Sequence, residues 1–336
     1  MAFLFCDSFD HYATADVASK YTVVSGVVSI QATGGRRGSG CARTTGGSDE
    51  FEISLTPGDN TVVVGLSMKH STISSSEMLL IRKSGNNQCI LKLNADGSIS
   101  FNRGSSTVLG TTAAGLITSG NTYYIELKAL ISTTVGTAII RINGAQVLSL
   151  TGLNNAGNGT SDWGTLKFNG NGGITKDYDD LYLLDGTGAA PLNTFLGDVR
   201  VDARFPTAEG ANSAWTPSTG SDNALMVDDP APNSDTDFNS TVTVNAVDTH
   251  VVQDAPVAGA TIYAVQQCTY MKKTDAGTTS VAAVVRSGGT DYVQPTVNPT
   301  TAYKYYLQPL PTDPNTSAAW TEAKFNAAEF GYKRIA

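Results

Sequence analysis

The sequence predicts an all-β protein made of two β-sandwich domains, and three observations carry that reading. Apolar and polar residues alternate with period two along most of the chain, as they do in half-buried strands. No segment before about residue 320 keeps a 3.6-residue apolar period for three turns. Only 15% of the 336 residues are charged, against about a quarter in an average globular chain. Glycine, serine, threonine and asparagine are plentiful instead, which favours short strands joined by many turns. The length allows two domains, each with its own core.

The elements follow in order along the chain. CILKLNADGSISF is a strand, a turn at Asp96-Gly97 and a returning strand. In NTYYIELKALIS, Tyr123, Ile125, Leu127, Ala129 and Ile131 share one face while Glu126 and Lys128 point the other way, a half-buried antiparallel strand. GTAIIRINGAQVLSL is a second hairpin: Ala138, Ile140 and Ile142 alternate up to Asn143-Gly144, a dipeptide suited to a type I′ turn, and Val147 begins the return. KDYDDLYLLDG is a strand with Asp179, Leu181 and Leu183 on one face and Tyr178, Asp180, Tyr182 and Leu184 on the other. At GTGAAPLNTFLG, residues 186–197, glycine, alanine and proline replace the alternation. The expected division is therefore a first domain of residues 1–186, a linker of 187–196 and a second β-rich sandwich of 197–336. Within the last, DVRVDARF, STVTVNAV, ATIYAVQQCTYMKK, TSVAAVVRSGG and TAYKYYLQPL read as strands separated by turns. EAKFNAAEF offers one or two helical turns before a final strand, EFGYKRI.

Charge and composition narrow the function classes. The net charge is -8, and Arg36 and Arg37 in GGRRGSG are the one local basic spot, which argues against a nucleic-acid partner. GGRRGSGCARTTGG lacks the Gly-Lys-Ser/Thr of a phosphate cradle. MAFLFCDSFD has neither the basic region nor the apolar stretch of a signal peptide, so export by that route is not expected. No run approaches the 18 or so apolar residues of a membrane span, and a soluble protein without membrane insertion is expected. Cys6, Cys41, Cys89 and Cys268 are widely spaced and form no CxxC; free thiols are expected, with disulfides the alternative. His11, His70 and His250 are equally scattered and define no zinc set.

Four stretches raise the question of chemistry. KDYDDLYLLDG places four aspartates within ten residues, but neighbours in a strand diverge, so Asp179 and Asp180 are expected to accept hydrogen bonds from nearby loops and to end the sheet. Glu50 and Glu52 in DEFEISL do share a strand face, the nearest approach to the paired carboxylates of a glycosidase. A solvated strand edge is the expected reading. MVDDPAPNSDTDFNST gathers Asp228, Asp229, Asp235 and Asp237 with Asn233 and Asn239, hard oxygens of the kind calcium takes. It lacks the glycine and terminal glutamate of an EF-hand loop, and the same residues are ordinary turn vocabulary; whether it binds calcium stays open. Trp163, Trp215 and Trp320 are sugar-stacking platforms or core residues, the core being expected. GxSxG, HExxH and P-loop patterns do not occur. Sequons at Asn158, Asn239 and Asn315 carry no expectation without a secretory signal. No catalytic residue, cofactor or metal ligand is assigned, and no enzyme is expected.

The order DSFDHYAT, YYIELKALI, IIRINGAQVLSL, WGTLKFNG and DYDDLYLLD resembles a laminin G-like or concanavalin A-like jelly roll over residues 1–186. GDVRVDARFPTAEGANSAWTPS, the aspartate-rich loop, TIYAVQQCTYMKKTDAGTTSVAAVVRSGG and DPNTSAAWTEAKFNAAEFGYK resemble the distal domain of tailed-bacteriophage structural proteins. That resemblance implies a virion component, made in the host cytoplasm, and does not say which part of the particle; tail or tail tip is the expected position because a lectin-like module there could touch host glycans. Its partners would be other virion proteins and further copies of itself. The alternatives are a host-glycan-binding adhesin module and a capsid decoration protein; a polysaccharide-degrading enzyme comes third.

Overall fold

The computed structural model describes residues 2–336. It divides into two compact units, the first ending at Val201 and the second running from Asp202 to Ala336. The protein is all-β.

Fifteen strands and a short helix form the first unit. They are β1 (Phe3–Asp7), α1 (Val17–Lys20), β2 (Val23–Ser25), β3 (Val28–Gln31), β4 (Cys41–Thr44), β5 (Glu50–Ser54), β6 (Thr61–His70), β7 (Ser76–Lys83) and β8 (Asn86–Leu93). They continue as β9 (Ile99–Arg103), β10 (Thr107–Thr111), β11 (Thr122–Leu130), β12 (Gly136–Ile142), β13 (Ala145–Leu153), β14 (Thr165–Asn169) and β15 (Lys176–Asp185). One sheet runs β13-β12-β11-β6-β15-β4-β3, with β1 also paired to β15; the other runs β10-β9-β8-β7-β14-β5-β2. The two face each other across an aromatic core. Phe51 of β5 stacks on Phe168 of β14 at 4.7 Å, and both meet Tyr178 of β15 in the facing sheet, at 5.5 and 5.2 Å. This is the lectin-like jelly-roll sandwich.

Local sequence explains the hairpins. Asn143 and Gly144 both have positive φ, 49° and 82°, as a type I′ turn requires, and β12 and β13 pair on either side. The β8–β9 turn is closed by Gly97 N–H to the Asn94 carbonyl at 3.0 Å, and Asp96 accepts from Ser98 N–H at 2.9 Å.

Two expectations are corrected here. Glu126 does not face water: β11 lies between β6 and β12, and Glu126 is 0% exposed. Its face is covered by residues 193–197, part of the stretch expected to be a linker, which belongs to the first unit. The alternation along β15 also breaks. Its register against β6 shifts between Asp179 and Tyr182, and Asp180 adopts φ 49°. This bulge carries Tyr178 into the aromatic core and turns the Tyr182 hydroxyl to Glu126, although unbroken alternation would put both rings on one face.

The second unit contains β16 (Pro206–Ser213), β17 (Thr216–Pro217), β18 (Asn239–Ser240), β19 (Val247–Val252), β20 (Val265–Met271), β21 (Val281–Ser287), β22 (Thr290–Val297), β23 (Lys304–Leu310), α2 (Glu322–Asn326) and β24 (Glu329–Arg334). A five-stranded sheet, β16-β19-β24-β21-β22, packs against the β20–β23 ribbon. Leu310 of the ribbon joins Val285 and Phe330 of the sheet in one core with Trp320, Phe325 and Ala328, and Val265 packs beside them. The helical turns expected in EAKFNAAEF are α2, whose Thr321 side chain accepts from Lys324 N–H. STVTVNAV, expected as a strand, is paired only at its two ends. Val242 stays 88% exposed, because β-branched residues make a strand only where a partner edge meets them. DVRVDARF forms no strand either. Among the described residues no helix is long and apolar enough to cross a membrane.

Candidate functional site

The bulge in β15 decides what the aspartate-rich stretch does. Instead of diverging, Asp179 and Asp180 both reach the turn at Arg36. Asp179 Oδ2 accepts from Arg36 N–H at 2.7 Å and from the Ser39 hydroxyl at 2.9 Å, and its Oδ1 accepts from Asp180 N–H at 2.7 Å. Asp180 Oδ2 accepts from Arg36 Nε at 3.0 Å and lies 2.9 Å from Nη2, while its Oδ1 accepts from Val201 N–H at 2.7 Å. Arg36 also pairs with Asp198, donates to the Val199 carbonyl, and lies 4.7 Å above the Tyr124 ring. The turn itself demands glycine at position 35, where a Cβ would sit 2.0 Å from the Gly40 carbonyl oxygen and 2.6 Å from Asp179 Oδ2. The aspartates therefore sit in mid-sheet, not at its end: β15 pairs with β6 on one side and with β4 and β1 on the other.

Burial and mutual charge set the protonation of this group. Burial, then the neighbouring Asp180 charge, pushes Asp179 up to about 7. Burial raises Asp180 too, against the pull of Val201 N–H and Arg36. Burial works against the charge on Arg36, but Asp180 and Asp198 hold it above its ordinary value. A carboxyl that keeps its proton near neutrality suits a general acid. Here, however, both its oxygens are engaged by three protein donors.

The same face carries a second polar knot. The Tyr182 hydroxyl donates to Glu126 Oε1 at 2.6 Å and accepts from Leu196 N–H at 3.1 Å, and Gly197 N–H donates to the same Oε1 at 2.9 Å. Lys128 Nζ donates to the Asn193 carbonyl at 3.0 Å, and Arg141 lies 4.3 Å from the Phe195 ring centroid. The Tyr182 ring lies on Gly65, where a Cβ would come within 2.2 Å of it. Residues 193–201 are thus strapped across β12, β11 and β15 by backbone groups that meet buried side chains. What the arrangement does chemically is hold a chain segment.

The other candidates are placed apart from this knot. Glu50 pairs with Lys167 and Glu52 with Arg82, each at 2.5 Å, as cross-strand ion pairs. In the Asp228–Asp237 loop, Asp229 accepts from Asn233, and Asp235 meets Lys272 at 2.7 Å and the Tyr303 hydroxyl at 3.0 Å. Asn239 donates to the Asn223 carbonyl and the Tyr332 hydroxyl. Among the described residues no three His, Cys, Asp or Glu side chains are grouped to hold a metal ion. Trp163 and Trp320 are buried and donate to the carbonyls of Thr61 and Leu310; Trp215 donates to the Ala246 carbonyl and packs on Tyr332. Among the described residues no disulfide joins the cysteines, and Cys41 and Cys89 are buried.

One cluster was not singled out by sequence reasoning. Asp7 Oδ2 accepts from the Tyr12 and Tyr21 hydroxyls and from Lys20 Nζ, all at 2.8 Å and all buried. Burial alone would raise Asp7, but Lys20 and His11 hold it below its ordinary value. The only trace in the sequence is DSFDHY itself, where a strand ends on an aspartate with polar and aromatic residues just beyond it.

No family model and no curated protein matches the chain. Solved structures similar to it include a heptameric SAP-like pentraxin from Limulus polyphemus, at 15% identity over 42% of this chain and 74% of that one, with a TM-score of 0.33. An alginate lyase, Aly36B, is 15% identical over 55% and 98% of the two chains, with a TM-score of 0.37. The catalytic domain of a glycoside hydrolase family 131 protein from Coprinopsis cinerea is 12% identical over 59% and 99%, with a TM-score of 0.39. Likenesses at this level say nothing about what this chain binds or does.

Proposed function

We propose that this chain is a non-enzymatic structural component of a tailed-phage particle, placed in the tail or its tip and working through contacts with other virion proteins and further copies of itself. The observation that supports this is the use made of the most chemistry-rich stretch. Asp179 and Asp180 are buried and spend their acceptors on Arg36, Ser39 and the N–H groups of Asp180 and Val201, and buried Glu126 accepts through Oε1 from Tyr182 and Gly197 N–H. Carboxylates committed to architecture leave the protein to act by its surfaces. A surface of low charge density also costs little to desolvate on assembly. The resemblance of residues 197–336 to distal domains of phage structural proteins supports the particle assignment.

Two measurements test the reading. Purified protein incubated with a panel of bacterial polysaccharides should release neither reducing ends nor unsaturated sugars; turnover abolished by a single Asp or Glu substitution would overturn the non-enzymatic part. Antibody raised against the chain should decorate intact particles from a lysate of the host that carries the gene. Signal confined to particle-free fractions would sink the virion assignment.

A further inference from the structure

The buried cluster at the end of β1 brings together the groups of a condensation reaction. Lys20 Nζ lies 2.8 Å from Asp7 Oδ2, and both side chains are 0% exposed. An amine and a carboxyl group thus touch where water does not compete for either. Aromatic rings line the site: Phe5 and Tyr12 have their centroids 5.6 and 4.8 Å from Nζ, and Tyr21 packs edge-on against Phe5 and Phe51. All four of these rings are buried.

Each atom that must give or take a proton has a neighbour able to do so. His11 Nε2 lies 2.8 Å from Nζ, and because an ammonium only donates, this nitrogen is the acceptor. Burial and the Lys20 charge lower His11 to about 3, which leaves the imidazole neutral. Both carboxyl oxygens are held by donors. The Tyr12 and Tyr21 hydroxyls donate to Oδ2, each at 2.8 Å, and Phe9 N–H donates to Oδ1 at 2.9 Å. Burial, then the charge on Asp7, keeps both phenols protonated. Nucleophile, base and oxyanion donors therefore surround one carboxyl carbon.

We infer that Lys20 and Asp7 condense into an intramolecular amide, Nζ bonded to Cγ, which closes residues 7–20 into a covalent ring. The step needs no co-reactant. One ammonium proton moves along the Nζ–Oδ2 contact, turning the ion pair into amine and carboxylic acid. Nζ then attacks Cγ while Phe9 N–H stabilises the charge that develops on Oδ1. A second proton passes from Nζ through His11 to Oδ2, the Cγ–Oδ2 bond breaks, and this oxygen departs as water. The third proton remains as the amide N–H. Asp7 is held below its ordinary value, so the ion pair is the resting form and the reaction is slow. Two effects drive it forward: the reacting groups are held in contact, and the product removes two charges from a dry site. The cross-link is independent of the virion reading, and its test involves no particles.

Intact-mass spectrometry of the denatured full chain should show a species lighter than the sequence by one water, increasing with time after synthesis. Digestion and tandem fragmentation should place the loss in a branched peptide joining the residues around Asp7 to those around Lys20. Lys20→Met should keep the full mass of its sequence. His11→Phe should accumulate the branched peptide about a hundredfold more slowly, the low end of what a positioned base contributes. Should either variant fail to fold, fragmentation of the wild type decides by itself. Two results overturn the inference: wild-type protein that keeps its full mass after prolonged storage, or a loss of water without a branched peptide, as a cyclic imide at Asp96-Gly97 or Asp185-Gly186 would give.

Discussion

The two acidic stretches of this chain, Asp177–Asp185 and Asp228–Asp237, each hold four aspartates and have opposite fates. In the first, a bulge turns Asp179 and Asp180 toward one arginine beneath a strapped segment, and every residue of the strand is buried. In the second, the chain runs as an open loop whose aspartates are exposed or half-exposed, and Asp235 meets Lys272 with 66% of its own side chain in contact with solvent. Residue density is the same and environment is not. Desolvation makes each contact of the first stretch costly to lose, while water replaces each contact of the second.

The largest expected effect breaks the buried member of the comparison. Asp180→Ala leaves the mostly buried Arg36 guanidinium with Asp198, the Val199 carbonyl and the Tyr124 ring, and frees Val201 N–H. Removing one partner of a buried ion pair costs about 3–5 kcal/mol, and the partial exposure of Arg36 places this one near about 3 kcal/mol. Urea denaturation measures it, and the double substitution Asp180→Leu with Arg36→Met should recover part of the loss. A cost under about 1 kcal/mol would mean that the knot is solvated like the loop.

A smaller effect sharpens the comparison through pH. Asp179 titrates near 7 in the folded protein, against about 4 unfolded, because of burial and the charge on Asp180. The folded state therefore holds this proton more tightly. Its contribution to stability is complete below about pH 4 and is lost as pH rises through about 7. His11 and His70 act in the opposite sense: burial lowers each to about 3, so their contribution is present above the ordinary histidine value and is lost as pH falls. The wild-type profile mixes these terms, so the informative quantity is a difference. The melting temperature of Asp179→Asn minus that of the wild type should increase steadily from pH 5 to pH 8. A flat difference would remove Asp179 from the buried class.

The smallest expected effect lies in the second stretch. Asp235→Ala should leave the melting temperature unchanged within error, and so should adding a chelator to the wild type, because exposed pairs add little and a bound cation would raise stability by mass action. A clear drop with chelator would reverse the comparison by making the open loop a calcium site.

Much of the architecture is written locally. Period-two alternation marks the strands, Asn143-Gly144 makes its type I′ turn, and Asp96-Gly97 makes a turn with positive φ at Gly97, because a turn's φ requirements are met or refused by the residues in it. Thr321 starts α2 for the same reason, accepting a hydrogen bond three residues away. What alternation cannot report is whether the second face of a strand is covered. Glu126 reads as a solvent-facing residue, yet it is closed over by Gly197, seventy-one residues further on. Val242 and Val244 read as strand residues, yet no neighbouring strand pairs with them. The bulge at Asp180 is of the same kind. Aspartate tolerates positive φ but does not demand it, and the conformation is selected by Arg36 and Val201, which the sequence places far away. Backbone preference and side-chain alternation are set by immediate neighbours, and the sequence determines them. Burial, and with it the cost or value of a charge, depends on which distant segment excludes water from a site, and only the tertiary structure decides that.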